Sequence, residues 1–272
     1  MQAPIGDDGC FFALCRIFLT EGFFMEAPVL LHIPHAGTYV PEEEAAKYVC
    51  DIEEELHFMT DWYTDELFDY PARKLVFPVS RLVCDVERFR DDSEEEMAKR
   101  GMGACYTNGH DGRVIRRLDA KEKESLLRRL YDPHHEALTR TTAEMLSRHN
   151  KCTIIDCHSF YPRPLPYEPD QNADRPDICI GTDGFHTPKE LVHLAAEDFL
   201  KMGYSVKLNS PYSGSMVPAK YYRRDSRFTS VMIEVNRGLY LDGRNRKSRS
   251  FQVLKKDLSA VIERIVEQCS AE

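Results

Sequence analysis

A chain of 272 residues, of which 42% are hydrophobic and 30% charged, has enough apolar side chains for a large core and enough charge for a hydrated surface. Its formal net charge of −9 argues against a protein that coats nucleic acid or an anionic membrane. The nine cysteines lack CxxC spacing, which excludes a zinc ribbon or thioredoxin-like motif and favours reduced thiols in a cytoplasmic protein.

The first 24 residues are predicted to be an extension that precedes the domain. The apolar run FFALCRIFL has the composition of a signal peptide, but Asp7 and Asp8 stand where positive charge is expected and Arg16 interrupts the run. No stretch reaches the roughly 20 apolar residues that span a bilayer. We therefore expect an extension over residues 1–24, one domain over residues 25–272, and no contact with a membrane.

The first predicted strand leads into a histidine. Residues 28–31 (PVLL) run into the segment HIPHAG, in which Pro34 stops the strand and Gly37 permits a tight turn. His35 therefore lies just beyond a strand end, where a binding loop is expected. Residues 51–70 then carry apolar side chains at 3–4 spacing, which predicts one helix with Asp61 and Asp65 on the same face.

The middle of the chain is predicted to contain two short strands, a hairpin and two helices. Residues 76–79 and 82–84 are strand candidates that lead into DVERFRDD, where Arg88 can bind a carboxylate through two hydrogen bonds. A small hairpin is expected around the Asn-Gly pair at 108–109. The helical pattern of residues 119–149 is expected to divide at Pro133.

A short buried strand at residues 152–155 (CTII) leads into a polar cluster of Asp156, His158 and Ser159. Alternation along the strand places Asp156 and His158 on one face and Cys157 on the other. In open α/β sheets, ligands bind just outside the carboxyl ends of the strands. This cluster is therefore the leading candidate for a functional site.

The last third of the chain alternates predicted strands with helices. Strands are expected at 177–181, 204–208 and 230–235, one helix after the N-cap Thr187 and another over 254–266. Glu234 lies inside the last strand, where an unpaired carboxylate is costly to bury. The alternation predicts an α/β fold with a parallel or mixed sheet. The sequence has no dinucleotide fingerprint, phosphate loop or GxSxG elbow.

Two histidines at strand ends favour a metal site, because neutral imidazole is the commonest metal ligand. His35 and His158, with one of the helix aspartates, would form a common catalytic zinc set that leaves a position open for water. A further carboxylate must then move the proton, and Glu234 fits that task better than an aspartate on a helix. Asp156 can instead orient an imidazole from outside the ligand set.

Eight motifs in order along residues 28–242 resemble the N-formylglutamate amidohydrolase family. They are PHAG (34–37), DWYTDELF (61–68), DVERFRDD (85–92), YDPHHEAL (131–138), DCHS (156–159), PDICIG (176–181), PYSG (211–214) and IEVNRGLY (233–240). The resemblance implies a three-layer α/β/α sandwich around a mixed sheet, similar to the zinc carboxypeptidases. It also implies hydrolysis of an N-acyl amide of an acidic amino acid, such as N-formylglutamate to glutamate and formate.

The resemblance further implies roles for individual residues. His35 and His158 would bind one zinc ion. Asp61 is preferred to Asp65 as the third ligand because it lies nearer the start of the predicted helix. Glu234 would be the general base. The residues that would hold the small N-acyl amino acid substrate through its carboxylates are Arg88, His135 and Arg237.

Two departures from the family pattern and two other functions remain open. The first aspartate motif carries Trp62 and Tyr63, and Glu87 stands where a DVNR-type motif has asparagine, which bears on the substrate more than on the reaction class. One alternative is a cysteine or serine hydrolase that uses Cys157 or Ser159 with a histidine. The other is a non-catalytic domain of the same fold that binds an acidic amino acid.

Overall fold

The computed structural model describes residues 27–271, so the predicted extension over residues 1–24 lies outside the described residues. The strands are β1 Val29–Ile33, β2 Arg73–Val76, β3 Cys152–Phe160, β4 Ile178–Gly181, β5 Val206–Leu208 and β6 Phe228–Asn236. The α-helices are α1 Glu42–Ala45, α2 Ile52–Met59, α3 Thr64–Leu67, α4 Ala120–Leu126, α5 Asp132–His149, α6 Lys189–Lys201 and α7 Phe251–Ala271. None of the helices in this part of the chain is long and apolar enough to cross a membrane.

The strands form one mixed sheet in the order β2-β1-β3-β6-β4-β5. Neighbouring strands are parallel except for β4 and β6, which are antiparallel. The central strands β3 and β6 have nine residues each, and they pair so that His158 lies beside Glu234. The register of the two longest strands thus places two predicted site residues side by side.

Helices cover both faces of the sheet because successive side chains on the central strands point to opposite sides. On one face, Ile155 and Ile233 belong to a core that includes residues of α6 and α7. On the other face, Ile154 packs in a core that includes residues of α5. The predicted α/β class and the three-layer α/β/α arrangement are therefore confirmed.

The prediction of a single helix over residues 51–70 is wrong, because a break in the helical conformation separates α2 from α3. Thr60 is extended, and Tyr63 adopts a left-handed conformation with φ of 62°. Asp61 lies in this break, where its backbone N–H donates to the carbonyl of His35 at 3.0 Å. Asp61 and Asp65 therefore do not share a helix face, and Asp61 is tied to the loop after β1.

The strands predicted at 76–79 and 82–84 are also largely wrong. β2 ends at Val76, and Val79 forms only a single bridge with Tyr39. The turn at 82–84 is held by Arg116, a fully buried residue whose guanidinium donates to the carbonyls of Leu82 and Val83 at 2.9 and 2.8 Å. A buried side chain from a distant segment satisfies these carbonyls in place of a strand partner.

Three local predictions differ from the structure in smaller ways. Pro133 does not divide the helical region, because it lies in the first turn of α5 and a π-helical segment over Leu127–Tyr131 joins α4 to α5. The predicted hairpin is reduced to one bridge between Asn108 and Val114. Thr187 is not the N-cap of α6, since its hydroxyl donates to the carbonyl of Ser230 at 2.7 Å.

Candidate active site

A cavity of about 270 Å³ opens at the carboxyl ends of β1, β3 and β6. Its lining combines aromatic side chains with a concentration of charged groups. The charged and histidine residues of the lining are His35, Asp61, Arg81, Glu87, Arg88, His158, Glu168, Glu234 and Arg237. Strands that end at one edge of a parallel sheet bring such side chains together, which is the usual place for a ligand in an open α/β fold.

Three potential metal-ligand atoms converge in this cavity. The Nδ1 atoms of His35 and His158 are 3.2 Å apart, and Oδ2 of Asp61 lies 3.1 Å from the His158 atom and 3.8 Å from the His35 atom. Tetrahedral bonds of roughly 2.0–2.1 Å separate ligand atoms by about 3.3–3.4 Å. All three residues are buried, and together they form a group that can hold a metal ion.

The second nitrogen of each histidine faces a carboxylate. Nε2 of His35 donates to Oδ1 of Asp85 at 2.8 Å, and Nε2 of His158 lies 3.0 Å from Glu87 and 3.2 Å from Asp156. A carboxylate behind a metal-binding histidine fixes its tautomer and ring orientation. Both Nδ1 atoms are thereby turned towards Asp61, so the donor set fits a divalent cation such as zinc.

Asp85 is itself held firmly. Its Oδ2 accepts hydrogen bonds from the Tyr106 hydroxyl at 2.6 Å and from Nη2 of Arg81 at 2.9 Å. Burial alone would raise the pKa of Asp85, but the charges of His35 and Arg81 hold it well below its ordinary value. Asp85 therefore stays ionised and keeps His35 in one orientation.

Asp61 is held as a carboxylate by Arg237 and by two residues of β3. Its Oδ1 accepts from Arg237 at 2.9 Å, and its Oδ2 accepts from the backbone N–H of Ser159 at 3.1 Å. Burial would raise the pKa of Asp61, but the hydrogen bond with His158 and the charge of Arg237 lower it to about 2. Asp65, the other aspartate considered for this position, is exposed.

Glu234 lines the cavity and has no counter-ion of its own among the described residues. It is 7% exposed, and its Oε2 is buried without a hydrogen bond in the described part of the chain. Burial raises the pKa of Glu234 to about 8, against the opposing effect of the His158 charge. Arg237 pairs with Asp61 rather than with Glu234, so Glu234 is not one half of a structural ion pair.

The three arginines of the cavity differ in how many hydrogen bonds they make. Arg237 donates to Ser159 Oγ, to the carbonyls of Phe58 and Ser159, and to Asp61, which leaves little of its fork available. Arg81 is engaged by Asp85 and Tyr106, with Nη1 3.8 Å from Asp61. The guanidinium of Arg88 makes no hydrogen bond with the described residues, and its Nε is 3.6 Å from Asp85.

His135 does not line the cavity. Its Nε2 donates to the carbonyl of Val86 at 2.8 Å, and its ring stacks on that of Tyr131 with centroids 4.1 Å apart. Burial lowers the pKa of His135 to about 4. The structure thus places this predicted substrate-binding residue in a packing role beneath the loop that carries Arg88.

The residues of the alternative nucleophilic mechanism are not arranged for it. Cys157 is fully buried in the core on the far side of β3, and burial raises the pKa of its thiol well above the ordinary value. Ser159 lines the cavity, but its hydroxyl accepts a hydrogen bond from Arg237 and donates to no histidine of the described part of the chain. Neither side chain has the base that a nucleophile needs.

Sequence reasoning missed several residues that the structure brings to the site. The residues that were given no role there are His32, Arg81, Asp85 and Glu87. The DVER segment was given a binding role only through its arginine, but it forms a turn in which the backbone N–H of Arg88 donates to the carbonyl of Asp85 at 3.4 Å. The available signal was the presence of two carboxylates beside that arginine.

The fold and this cavity define the class of protein, an α/β protein with a histidine–carboxylate centre at the carboxyl ends of its strands. The model of the N-formylglutamate amidohydrolase family matches residues 27–241. The chain therefore belongs to the N-formylglutamate amidohydrolase family, whose name describes hydrolysis of an amide.

Two solved structures are similar to this chain. The crystal structure of N-formylglutamate amidohydrolase from Ralstonia eutropha has a TM-score of 0.78 and 25% identity, and the match covers 92% of this chain and 98% of that one. A gene product from Agrobacterium tumefaciens has a TM-score of 0.66 and 18% identity, over 90% of this chain and 99% of that one. The second likeness supports the fold alone. None of the curated proteins gives a significant match.

Proposed function

We propose that this protein is a zinc-dependent amidohydrolase that hydrolyses N-formylglutamate to glutamate and formate. The observation that carries the proposal is the convergence of His35, Asp61 and His158 at metal-ligand spacing, next to the unpaired carboxylate of Glu234. Membership of the N-formylglutamate amidohydrolase family supports the choice of reaction.

The ligands proposed for the metal are Nδ1 of His35, Nδ1 of His158 and Oδ2 of Asp61. A zinc ion at this position supplies Lewis-acid polarisation of the acyl carbonyl and lowers the pKa of water. The protein contributes the orientation of the ligands, through Asp85 behind His35 and through Arg237 on the second oxygen of Asp61.

Glu234 is proposed to move the protons of the reaction. Water adds to the carbonyl carbon as its proton passes to the Glu234 carboxylate, and the same carboxyl group then delivers a proton to the departing amine as the C–N bond breaks. The products are formate and the free amino group of glutamate. A positioned acid–base group of this kind contributes roughly 10²–10⁴-fold to the rate.

Arg88 is the residue best placed to bind a carboxylate of the substrate. Its guanidinium lines the cavity without a hydrogen bond to the described residues, so a bidentate pair with a carboxylate breaks no existing hydrogen bond. Arg81 presents Nη1 close to the metal ligands, where a donor faces the reacting carbonyl. Arg237, expected from the sequence to bind substrate, is proposed instead to orient Asp61.

The proposed activity is tested directly by measuring formate released from N-formylglutamate. We expect activity from the purified protein, its loss after dialysis against a chelator, and its return when zinc is added. The metal content of each sample, measured by mass spectrometry, should follow the activity. Full activity in metal-free protein would contradict the metal dependence, and binding of N-formylglutamate without formate release would support the non-catalytic alternative.

Lysine substitutions should separate the roles of Arg88 and Arg237. Arg88→Lys keeps the charge but removes the fork, and we expect KM to rise roughly 10- to 100-fold, because a hydrogen bond to a charged group contributes about 1.5–3 kcal/mol. Arg237→Lys should instead weaken zinc binding by roughly 10–100-fold, as expected when a partner of a metal ligand is lost. Steady-state kinetics at saturating zinc, together with zinc titration of each variant, distinguish the two effects. If both substitutions change KM equally and leave the zinc affinity unchanged, Arg237 binds the substrate and does not orient Asp61.

A further inference from the structure

A second cluster of metal-binding side chains lies directly behind His158. Nδ1 of His32 is 2.9 Å from Oδ1 of Asp156 and 3.3 Å from Oε1 of Glu87. The three residues form a group whose potential ligand atoms all lie within 4.8 Å of one another. In the first site, Asp156 and Glu87 only face Nε2 of His158, and His32 has no role there.

The sheet and one loop build this second cluster. His32 on β1 and Asp156 on β3 are direct partners in the parallel register of these strands, so their side chains emerge side by side. Glu87 reaches them from the loop that also carries Asp85. The His32 side chain is fully buried, and those of Asp156 and Glu87 are 2% and 15% exposed.

Two buried atoms that face this cluster make no hydrogen bond in the described part of the chain. They are Oε1 of Glu87 and Nε2 of His158. The His158 atom lies 3.0 Å from Glu87 and 3.2 Å from Asp156, in a side chain that is 4% exposed. Buried polar atoms are almost always hydrogen-bonded, so the Glu87 oxygen, which makes no hydrogen bond although it is 3.3 Å from Nδ1 of His32, indicates a partner that the described residues do not supply.

The charge of the cluster indicates a cation. Two carboxylates and one neutral imidazole carry two negative charges in a buried space, and burying them without a counter-charge is costly. The adjacent His158 imidazole turns its Nδ1 towards His35 and Asp61, so its Nε2 contributes at most one N–H donor to the two carboxylates. With His32 neutral, a positive charge between His32, Glu87 and Asp156 would offset the two carboxylates.

We propose that His32, Glu87 and Asp156 bind a second divalent transition-metal ion. The His158 side chain lies between this ion and the first metal site. Imidazole nitrogen together with carboxylate oxygen suits zinc and the other divalent ions of its series. The 2.9–3.3 Å separations from His32 Nδ1 suit donors that share one ion at roughly 2.0–2.2 Å. The alternative to a metal ion is a proton on His32. Burial lowers the pKa of His32, but Asp156 and Glu87 outweigh this effect and raise the pKa to about 9.

The number of zinc ions bound per chain tests the proposal. The full-length protein is stripped with a chelator and dialysed against a range of free zinc concentrations, and bound zinc is measured by mass spectrometry. We expect two equivalents in the unaltered protein, and one in each of the variants Glu87→Gln and His32→Gln. The matched control is Glu168→Gln, which alters another carboxylate of the same cavity and should keep two equivalents. Circular dichroism confirms that each variant is folded.

The outcomes are separable from those of the proposed function. One equivalent in the unaltered protein, together with zinc-dependent activity, would overturn the second site and leave a protonated His32 as the counter-charge. Two equivalents that persist in both Glu87→Gln and His32→Gln would also overturn it, because the second ion would then bind elsewhere. Absence of any tightly bound zinc would contradict both sites and, with them, the metal dependence of the proposed function.

Discussion

Replacement of Glu234 by glutamine is expected to lower kcat by roughly 10²–10⁴-fold, the range for loss of a positioned acid–base group. Glutamine keeps the size of the side chain and its place in β6 but cannot accept a proton. Zinc content should stay the same, because Glu234 does not belong to the ligand group. Because burial raises the pKa of Glu234 to about 8, the ionised form destabilises the fold, and the neutral amide should not lower Tm.

The measurement is the rate of formate release per zinc-loaded molecule, with thermal unfolding recorded on the same samples. Glu168→Gln serves as the control for turnover alone, since Glu168 lines the same cavity but pairs with the buried Arg175, which loses its counter-charge in this variant. If Glu234→Gln keeps most of its turnover while its Tm clearly falls, Glu234 supports the sheet and does not transfer protons.

The second large effect is expected from Asp61→Asn, which should abolish activity and the binding of zinc by His35, Asp61 and His158. The amide is a poor metal ligand compared with the carboxylate, and Arg237 loses the anion that compensates its buried charge. Removing a direct ligand should cost more than the roughly 10–100-fold in metal affinity that is lost when a residue behind a ligand is changed. Zinc titration followed by mass spectrometry measures the affinity.

Asp65→Asn is the matched control for this substitution. Asp65 is four residues further along the chain, exposed, and outside the ligand group, so its variant should bind zinc and turn over substrate like the unaltered protein. The opposite pattern, with zinc lost in Asp65→Asn and retained in Asp61→Asn, would show that the wrong aspartate has been assigned to the metal.

The sequence by itself determined the class of fold and part of the candidate site. The predicted strand at 152–155, with its alternation, and the buried strand around Glu234 were sufficient to single out Asp156, His158 and Glu234, although β3 continues to Phe160 and Asp156 lies in its middle. The proline and glycine that follow β1 marked His35 in the same way. These features are local, because strand period and turn chemistry depend on neighbouring residues.

Only the tertiary structure decided which side chains meet. His35 and His158 are separated by 123 positions in sequence, and Arg237 by 176 positions from the Asp61 that it holds. Helical periodicity placed Asp61 on a helix, but its backbone bond to the loop after β1 breaks the helix there, since one long-range contact outweighs a weak local propensity. The partners of Arg88, His135 and Glu87 were likewise set by packing between distant segments. No local pattern encodes such a partner, because its energy arises from burial and charge that exist only once the sheet has formed.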